Sequence, residues 1–459
     1  MAARVTRPDG DGGWSPERRT REVAARVDAG ASLVTRPEGP LTLAAALALA
    51  ARGNRRIAEA EDELAEARER VWQVRARLLP TTTGSGRYTW YSDPLTTGVQ
   101  LPPGILPRGV SPVVIVREAQ FGVVNGTITV PLDVTGELLK SLAAAQAGYR
   151  GERARVWATR LAEDLEVVRA YFRLLETERL REVTRETIAV DRQQLANAQE
   201  RFSAGRLTKN EVLVVEVALR NAEQRLLRDD LAIDEARWRL NEVTGLPVDA
   251  PSEVVDVTGP VVVPAADEAL RLSRAYNPTV VALLEEQQRL DDTVSALERG
   301  WLPHVSAGGA VDYSSATIVQ PQQVESGFVG FTWDLGTDGR RAAEIAEARI
   351  ATDRTRIALE RELRELEAAV RRTQQSAEER LAAAEAARVG VVQAEENLRI
   401  RRDQFGVGRA TSDDFLDASR LLAFERATLA SALYEAYARR AELQRLIGLP
   451  LDALAMEAK

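Results

Sequence analysis

The sequence predicts a mainly α-helical protein with a smaller β part, arranged as two tandem repeats of the order α-β-β-α-α. Three observations predict this fold class. Turn motifs recur in the same order at a fixed spacing, two stretches of 69 residues (136–204 and 339–407) contain no proline, and short segments alternate apolar and polar residues. Of the 459 residues, 45% are apolar and 28% are charged, which is the balance of a folded chain.

The composition disfavours several kinds of chemical centre. The chain has no cysteine, one histidine (His304) and two methionines, so thiol catalysis and disulfides are excluded and a zinc or copper centre lacks its usual ligands. His304 has no nucleophile motif near it, and no phosphate-binding fingerprint is present. The net charge is −8, and no basic stretch alternates with aromatic residues. We therefore expect no enzymatic activity, no metal, no cofactor and no nucleic-acid partner.

The repeats are recognised from matching turn motifs. Residues 202–213 match 405–416 and residues 245–250 match 448–453, both at an offset of 203 positions (405 − 202 and 448 − 245). Two separated matches at one offset indicate that the intervening segment has the same length in both copies. Upstream, the offset is 223 (302 − 79), so the first copy is longer by about 20 residues, which we place in the Pro/Gly-rich stretch 93–111.

These matches also predict where the repeats begin and end. The first 40 residues are rich in Arg, Pro, Gly and Asp and show no periodicity and no apolar segment of a secretory signal, so we expect a disordered extension there. The predicted boundaries are 1–40 for this N-terminal extension, 41–250 for repeat 1, 251–265 for a linker, 266–453 for repeat 2 and 454–459 for a C-terminal tail.

The helices follow from periodicity and from the positions of proline and glycine. We expect a first helix from Leu41 to Leu79, ended by Pro80, and long helices at Gly136–Ala204 and Gly339–Val407. The returning helix, Thr208–Thr244, carries apolar residues every seven positions, which is typical of a coiled-coil seam. They are Val212, Leu219, Leu226, Ile233 and Leu240. Two short helices end to end equal one long helix in length, so we expect them to lie along it.

The strands are predicted from alternation. His304–Tyr313 places mostly apolar residues on one face and small or polar residues on the other, and Arg87–Ser92, Arg117–Val130 and Ser326–Trp333 are also strand-like. We therefore expect the strands of repeat 1 within about 82–132 and those of repeat 2 within about 304–334. Strands of about 10 residues suit a barrel that crosses a bilayer. The alternative is a soluble β-subdomain that caps the helices.

Taken together, residues Leu41 to Ala453 resemble the TolC family of outer-membrane efflux and secretion channels. Four duplicated marks carry the resemblance: the Leu-Pro after the first helix, the strand exits, the Phe-x-x-Gly-Arg-x-Thr turns and the Gly-Leu-Pro ends. They lie at 79–80 and 302–303, at 130–136 and 333–339, at 202–208 and 405–411, and at 245–247 and 448–450. The resemblance implies a homotrimer in which each protomer gives four strands to a twelve-stranded transmembrane β-barrel and its coiled-coil helices to a periplasmic α-barrel tunnel.

Two sites are implied by the same resemblance. The helical hairpin tips would meet a periplasmic adaptor protein, and they comprise Gly205, Arg206, Leu207 and Thr208 in repeat 1 and Gly408, Arg409, Ala410 and Thr411 in repeat 2. Glycine suits the end of a helix and threonine suits the start of the next, so turn formation alone accounts for those residues and the two arginines are the better adaptor candidates. Asp414 and Asp417 resemble the acidic ring at the periplasmic entrance; the alternative is that both are ordinary solvated acids.

The sequence thus favours an outer-membrane channel of a tripartite efflux or type I secretion system. Its expected partners are the periplasmic adaptor, an inner-membrane transporter and the lipid of the outer membrane, and its expected role is that of a passive conduit. The second hypothesis, from a different class, is a soluble coiled-coil scaffold or tethering protein with a small β-subdomain. A membrane-embedded trimer with channel conductance would distinguish the first from the second.

Overall fold

The computed structural model of the protein describes residues 39–98, 113–257, 259–336 and 339–451. The expected tail and all of the expected N-terminal extension except residues 39 and 40 lie outside them. The helices are α1 (Leu43–Gly53), α2 (Arg55–Ala76), α3 (Glu137–Ser203), α4 (Lys209–Thr244), α5 (Ala266–Tyr276), α6 (Pro278–Arg299), α7 (Arg340–Gly406) and α8 (Ser412–Ile447). The strands are β1 (Thr81–Trp90), β2 (Leu95–Gly98), β3 (Val113–Arg117), β4 (Gln120–Leu132), β5 (His304–Ser314) and β6 (Gln323–Thr332).

The prediction of one continuous first helix is wrong in both copies. In repeat 1 the helix is broken at Asn54, whose backbone is extended (φ −78°, ψ 119°), and in repeat 2 it is broken at Asn277. Asn277 precedes Pro278, and the residue before a proline is disfavoured in a helix. Side-chain hydrogen bonds hold both breaks in place, since Asn54 Nδ2 donates to Glu163 Oε2 at 2.8 Å and Asn277 Nδ2 donates to the Leu446 carbonyl at 2.9 Å.

The long helices agree with the prediction to within one residue at each end. Both α3 and α7 contain 67 residues, and both returning helices, α4 and α8, contain 36. The predicted seam of α4 is at least half-buried, with Leu219, Ile233 and Leu240 buried. No helix in the described part of the chain has an apolar stretch long enough to cross a membrane.

The chain divides into two compact units, and each draws on both repeats. Unit 1 combines the described parts of Met1–Glu61, Val156–Pro278 and Leu363–Lys459. Unit 2 combines those of Asp62–Arg155 and Thr279–Glu362. Unit 1 therefore holds the returning helices and the hairpin tips, and unit 2 holds the strands.

Aromatic residues form the centre of the unit 1 core. The ring of Phe172 on α3 stacks on that of Tyr437 on α8, with 5.0 Å between the centroids. The buried hydroxyl of Tyr171 lies 2.6 Å from the Val255 carbonyl and 3.0 Å from that of Leu41. The segment after α4 is thus tied to the start of repeat 1 by a buried side chain.

Unit 2 contains a four-stranded antiparallel sheet in the order β1-β4-β5-β6. Its two central strands come from different repeats, so the β4–β5 ladder joins repeat 1 directly to repeat 2. A two-stranded ladder of β2 and β3 lies in the longer loop of repeat 1 and was not predicted. Its short strands flank residues 99–112, which are outside the described part of the chain, and the surrounding Pro and Gly hid the strand pattern.

Candidate functional site

The four-stranded sheet has one apolar and one mainly polar face. Residues opposite each other on neighbouring strands share a face, so the register assigns every side chain. The mainly apolar face is formed by Tyr88, Trp90, Val124, Ile128, Val130, Leu132, Val305, Val311, Tyr313, Val329 and Phe331, with glycine and alanine between them, and it also carries the polar residues Thr82, Gln120, Gln323 and Glu325. Val329 is 76% exposed and Tyr88 71%. An apolar face this exposed in one chain indicates that another apolar phase or surface covers it.

Aromatic side chains lie at both ends of the apolar face. Tyr88, Trp90 and Tyr313 are near the end where β1 finishes, whereas Phe331 lies at the opposite end, paired with Val305. Aromatic residues at both ends of an apolar band are typical of strands that cross a lipid bilayer.

The opposite face is mainly polar, although Phe121, Val123, Val324 and Phe328 interrupt it. At its centre, Asn125 Nδ2 donates to Asp312 Oδ1 at 2.5 Å. Gly308 is required here, because a Cβ atom at this position would collide with the Ile128 carbonyl and the Phe328 ring. The Phe328 ring therefore packs over the backbone of Gly308, where no side chain is in the way.

Both outer strands of the sheet have an unpaired edge within the chain. β1 pairs only with β4, and β6 pairs only with β5, among the described residues. Unpaired backbone groups cannot be left in lipid, where each costs several kcal/mol. Because the four strands alternate in direction, β6 of one chain would run antiparallel to β1 of another, so copies of this sheet can continue one ladder.

The hairpin tips are built in the same way in both repeats. Gly205 and Gly408 adopt positive φ angles of 72° and 74°. The next residue donates to a carbonyl five positions back, from Arg206 N to Arg201 O at 2.8 Å and from Arg409 N to Gln404 O at 2.9 Å. This is the Schellman motif that commonly ends helices.

Each tip then starts the returning helix with a capping box, in which two residues cap each other. Thr208 and Glu211 form it in repeat 1, and Thr411 and Asp414 form it in repeat 2. Thr208 and Thr411 thus have a structural role, whereas Leu207 and Ala410 are half-buried in the turns.

Arg206 and Arg409 differ from the other tip residues because turn formation does not use their side chains. Both residues are exposed, and within the described part of the chain no hydrogen bond or ion pair reaches either guanidinium group. Each tip therefore presents one free positive charge to solvent.

The two acids of the predicted entrance have different surroundings. Asp414 Oδ2 accepts hydrogen bonds from the backbone N–H and the hydroxyl of Thr411, at 2.9 and 2.8 Å, and these bonds lower its pKa. Asp417 forms an ion pair with Arg420 at 2.8 Å, in which both side chains are more than half exposed. Asp414 thus has a capping role that sequence reasoning missed, although the spacing Thr-x-x-Asp indicates it.

Arg201 is a further residue that sequence reasoning missed. Its guanidinium lies over the Phe405 ring, 4.8 Å from the centroid, and donates to the backbone carbonyls of Phe405 and Gly406 at the end of α7. The side chain thus connects the end of α3 with the end of α7, next to the two tips. Repeat 2 has Gln404 at the corresponding position, so comparison of the two repeats could not indicate that Arg201 makes this contact.

Comparison with known proteins places the chain in a family. The model of the outer membrane efflux protein family matches residues 46–246 and 269–449, which is most of the chain. No curated protein sequence matches it.

Several solved structures have the same fold at low sequence identity. The outer membrane protein VceC from Vibrio cholerae is 16% identical, with a TM-score of 0.73 over 89% of this chain and 96% of that one. The CmeC outer membrane channel of Campylobacter jejuni is 13% identical, with a TM-score of 0.71 over 97% and 94%. The open state of the MtrE outer membrane channel of Neisseria gonorrhoeae is 19% identical, with a TM-score of 0.71 over 89% of each chain.

These matches confirm the predicted resemblance and do not favour the hypothesis of a soluble scaffold. The matched family is one of channels and not of enzymes. The protein belongs to the outer membrane efflux protein family and is an outer-membrane channel for efflux.

Proposed function

We propose that three copies of this chain assemble into the passive conduit of a tripartite export system, together with a periplasmic adaptor and an inner-membrane transporter. The observation that carries the proposal is the four-stranded sheet with one apolar face and two open edges. Three such sheets supply twelve strands in alternating directions, enough to close a barrel without an unpaired edge. The apolar face then contacts outer-membrane lipid and the polar face lines the pore.

The hairpin tips are the proposed docking sites for the adaptor. Family resemblance supports this role, and so do the free guanidinium groups of Arg206 and Arg409. Unpaired charges at a rim act mainly on encounter rate and on the choice of partner. An adaptor with acidic groups at its contact surface fits this arrangement.

Charge reversal tests the tips. We expect Arg206→Glu with Arg409→Glu to abolish export while trimers still form, because neither side chain supports the fold. Drug susceptibility of cells carrying only the variant channel measures export, and heat-modifiable electrophoresis measures trimers. The matched control is Arg388→Glu on α7, an exposed arginine paired with Glu385 and 18 residues from the end of the helix. Unchanged export in the double variant would contradict the role of the tips.

The acids Asp414 and Asp417 are proposed to line the entrance of the trimer as rings. Rings of carboxylates favour cations in a pore. Repeat 1 has Glu211 and Val214 at the corresponding positions, so only one hairpin of each protomer supplies the pair.

Conductance in planar bilayers tests the rings. We expect Asp414→Asn with Asp417→Asn to lower the cation-over-anion permeability ratio by about twofold or more. Asp417→Asn alone separates the charge effect from the capping role of Asp414. If the ratio of the double variant equals that of the wild type, the acids do not form the entrance.

A further inference from the structure

A cavity of about 440 Å³ lies within unit 1, between α3, α4 and α8. Four charged residues line it: Asp191 on α3, Arg225 and Asp229 on α4, and Arg420 on α8. The cavity-lining residues include none from α7 in the described part of the chain. Nothing in the proposed conduit uses this cavity.

Asp191 is the buried acid of the cavity. The residue is only 4% exposed, and its Oδ1 atom has no hydrogen-bond partner among the described residues. Burial raises its pKa to about 6, against the opposing effect of the Arg420 guanidinium. A buried carboxylate without a partner is expensive, so this group is a strong acceptor for any cation that reaches it.

Asp229, the second acid, already has a partner. Its Oδ2 atom accepts a hydrogen bond from the Thr184 hydroxyl at 2.6 Å. Of the two arginines that line the cavity, only Arg420 acts on the pKa of Asp191. Asp191 is thus the lining acid whose Oδ1 atom has no partner, and Arg420 is the lining arginine whose charge acts on it.

Arg420 is held only weakly where it is. Its ion pair with Asp417 at 2.8 Å joins side chains that are 63% and 73% exposed, and such pairs on a helix surface contribute little stability. Breaking the pair is therefore cheap. A guanidinium on a long side chain can turn from the surface into a cavity that it already lines.

We propose that the cavity is a second binding site for the guanidinium of Arg420, so that Asp191 and Asp417 compete for one arginine. The inference rests on the proposed entrance ring and adds its regulation. When Arg420 pairs with Asp417, the charge of the entrance acid is neutralised. When Arg420 turns into the cavity, Asp417 is released as a free carboxylate. Protonation of Asp191 removes the competitor, so acidification lowers the negative charge of the entrance.

The first experiment measures the electrostatic effect of Asp191 at position 420 and does not depend on channel conductance. The chain has no cysteine, so Arg420→Cys provides a unique thiol. We compare its reaction rates with a cationic and an anionic methanethiosulfonate, with and without Asp191→Asn. We expect the cationic-to-anionic ratio to rise about threefold from pH about 5 to about 8, and the Asn background to remove this rise. Equal ratios in both backgrounds at both pH values would overturn the proposal.

The second experiment follows the cation-over-anion permeability ratio in planar bilayers as a function of pH. We expect the wild type to show a step of about twofold near pH 6, and Asp191→Asn to remain at the low-pH value. The control is Asp230→Asn, because Asp230 pairs with Arg181 at 3.5 Å and does not line the cavity, so the step should persist.

The two readouts separate this inference from the entrance ring. If Asp191→Asn shows the same step in permeability ratio near pH 6 as the wild type, Asp191 does not compete for Arg420. Unchanged permeability in Asp414→Asn with Asp417→Asn at every pH would show that the proposed entrance ring is wrong, while the reagent ratio would still decide whether Asp191 acts on position 420.

Discussion

Four glycines at helix ends share a left-handed backbone but differ in the space around them. Gly205 and Gly408 at the tips have open space where a Cβ atom would lie. At Gly245 a Cβ atom would come within 2.8 Å of the Gly53 carbonyl, and at Gly448 it would collide with the Tyr276 carbonyl. The two inner glycines are therefore needed for close packing as well as for their φ angle.

This difference predicts unequal effects of alanine. Gly205→Ala and Gly408→Ala should each cost about 1 kcal/mol, the expense of a left-handed L-residue. Gly245→Ala and Gly448→Ala should each cost about 3 kcal/mol, because the backbone must also move. Thermal unfolding of the detergent-solubilised protein measures the four variants. Equal effects at tip and inner positions would contradict the packing argument.

Asp191 predicts a pH effect on stability. Its folded-state pKa of about 6 exceeds the ordinary value of 3.8, so the folded state binds the proton more tightly and loses stability as pH rises from about 4 to about 6. Asp191→Asn keeps the shape and removes the charge. At about 1.4 kcal/mol per pKa unit, we expect it to raise the free energy of unfolding at pH 7.5 by on the order of 3 kcal/mol and to flatten this pH profile.

Unfolding of both proteins at pH about 4 and about 7.5 checks this prediction. The two should have similar stability at the lower pH, where Asp191 is protonated. Asp230→Asn serves again as the control and should follow the wild type. A destabilised Asp191→Asn at neutral pH would mean that a partner such as Arg420 stabilises the carboxylate by more than its burial costs.

Sequence and structure differ in what they reveal about single residues. The capping boxes could be predicted from the Thr-x-x-Glu and Thr-x-x-Asp spacings, and the tip glycines from their duplication. The burial of Asp191 could not be predicted, because the residues at helical spacing from it are partly polar and partly apolar. Its solvent exposure depends on α4 and α8, which are distant in sequence. The contact made by Arg201 could not be predicted either, because its acceptor carbonyl is more than 200 positions away in the sequence.

At the scale of elements, the long helices were predictable because glycine marks their ends and no proline interrupts them. The break at Asn277 also had a signal in the following proline, whereas the break at Asn54 depends on a hydrogen bond to Glu163, a tertiary contact. The four long strands were found through alternation. The predicted bounds of β5 are right to within one residue, whereas those of β1, β4 and β6 differ by up to several residues because glycine and threonine carry little pattern. β2 and β3 were missed because the surrounding proline and glycine hid their pattern.

The two faces of β6 predict opposite results for neighbouring substitutions. Val329→Lys puts a charge on the apolar face and should destabilise the membrane-embedded protein by about 2–4 kcal/mol. Gly330→Lys puts the same charge on the other face, where a side chain has open space, and should have little effect. Yield of heat-modifiable trimer in lipid vesicles measures both. Equal yields would contradict the assignment of the faces.

At the scale of the whole molecule, the open edges predict contacts between copies. In the cysteine-free chain, Thr83→Cys on β1 is combined in turn with a single cysteine at each position from 323 to 332 of β6. We expect a disulfide-linked trimer at one register, because β6 of one copy pairs with β1 of the next. A scan that yields only monomers would contradict closure through these edges.

The pairing of β4 with β5 has a consequence for symmetry. Because each repeat supplies two strands of the four-stranded sheet and one helical hairpin, the proposed trimer is a ring of six similar units with alternating identity. Its backbone approaches sixfold symmetry, whereas its chemistry has only threefold symmetry: Asp414 and Asp417 alternate with Glu211 and Val214, and Arg201 alternates with Gln404. An adaptor that binds the tips would therefore meet two kinds of site in alternation around the ring, each with its own chemistry.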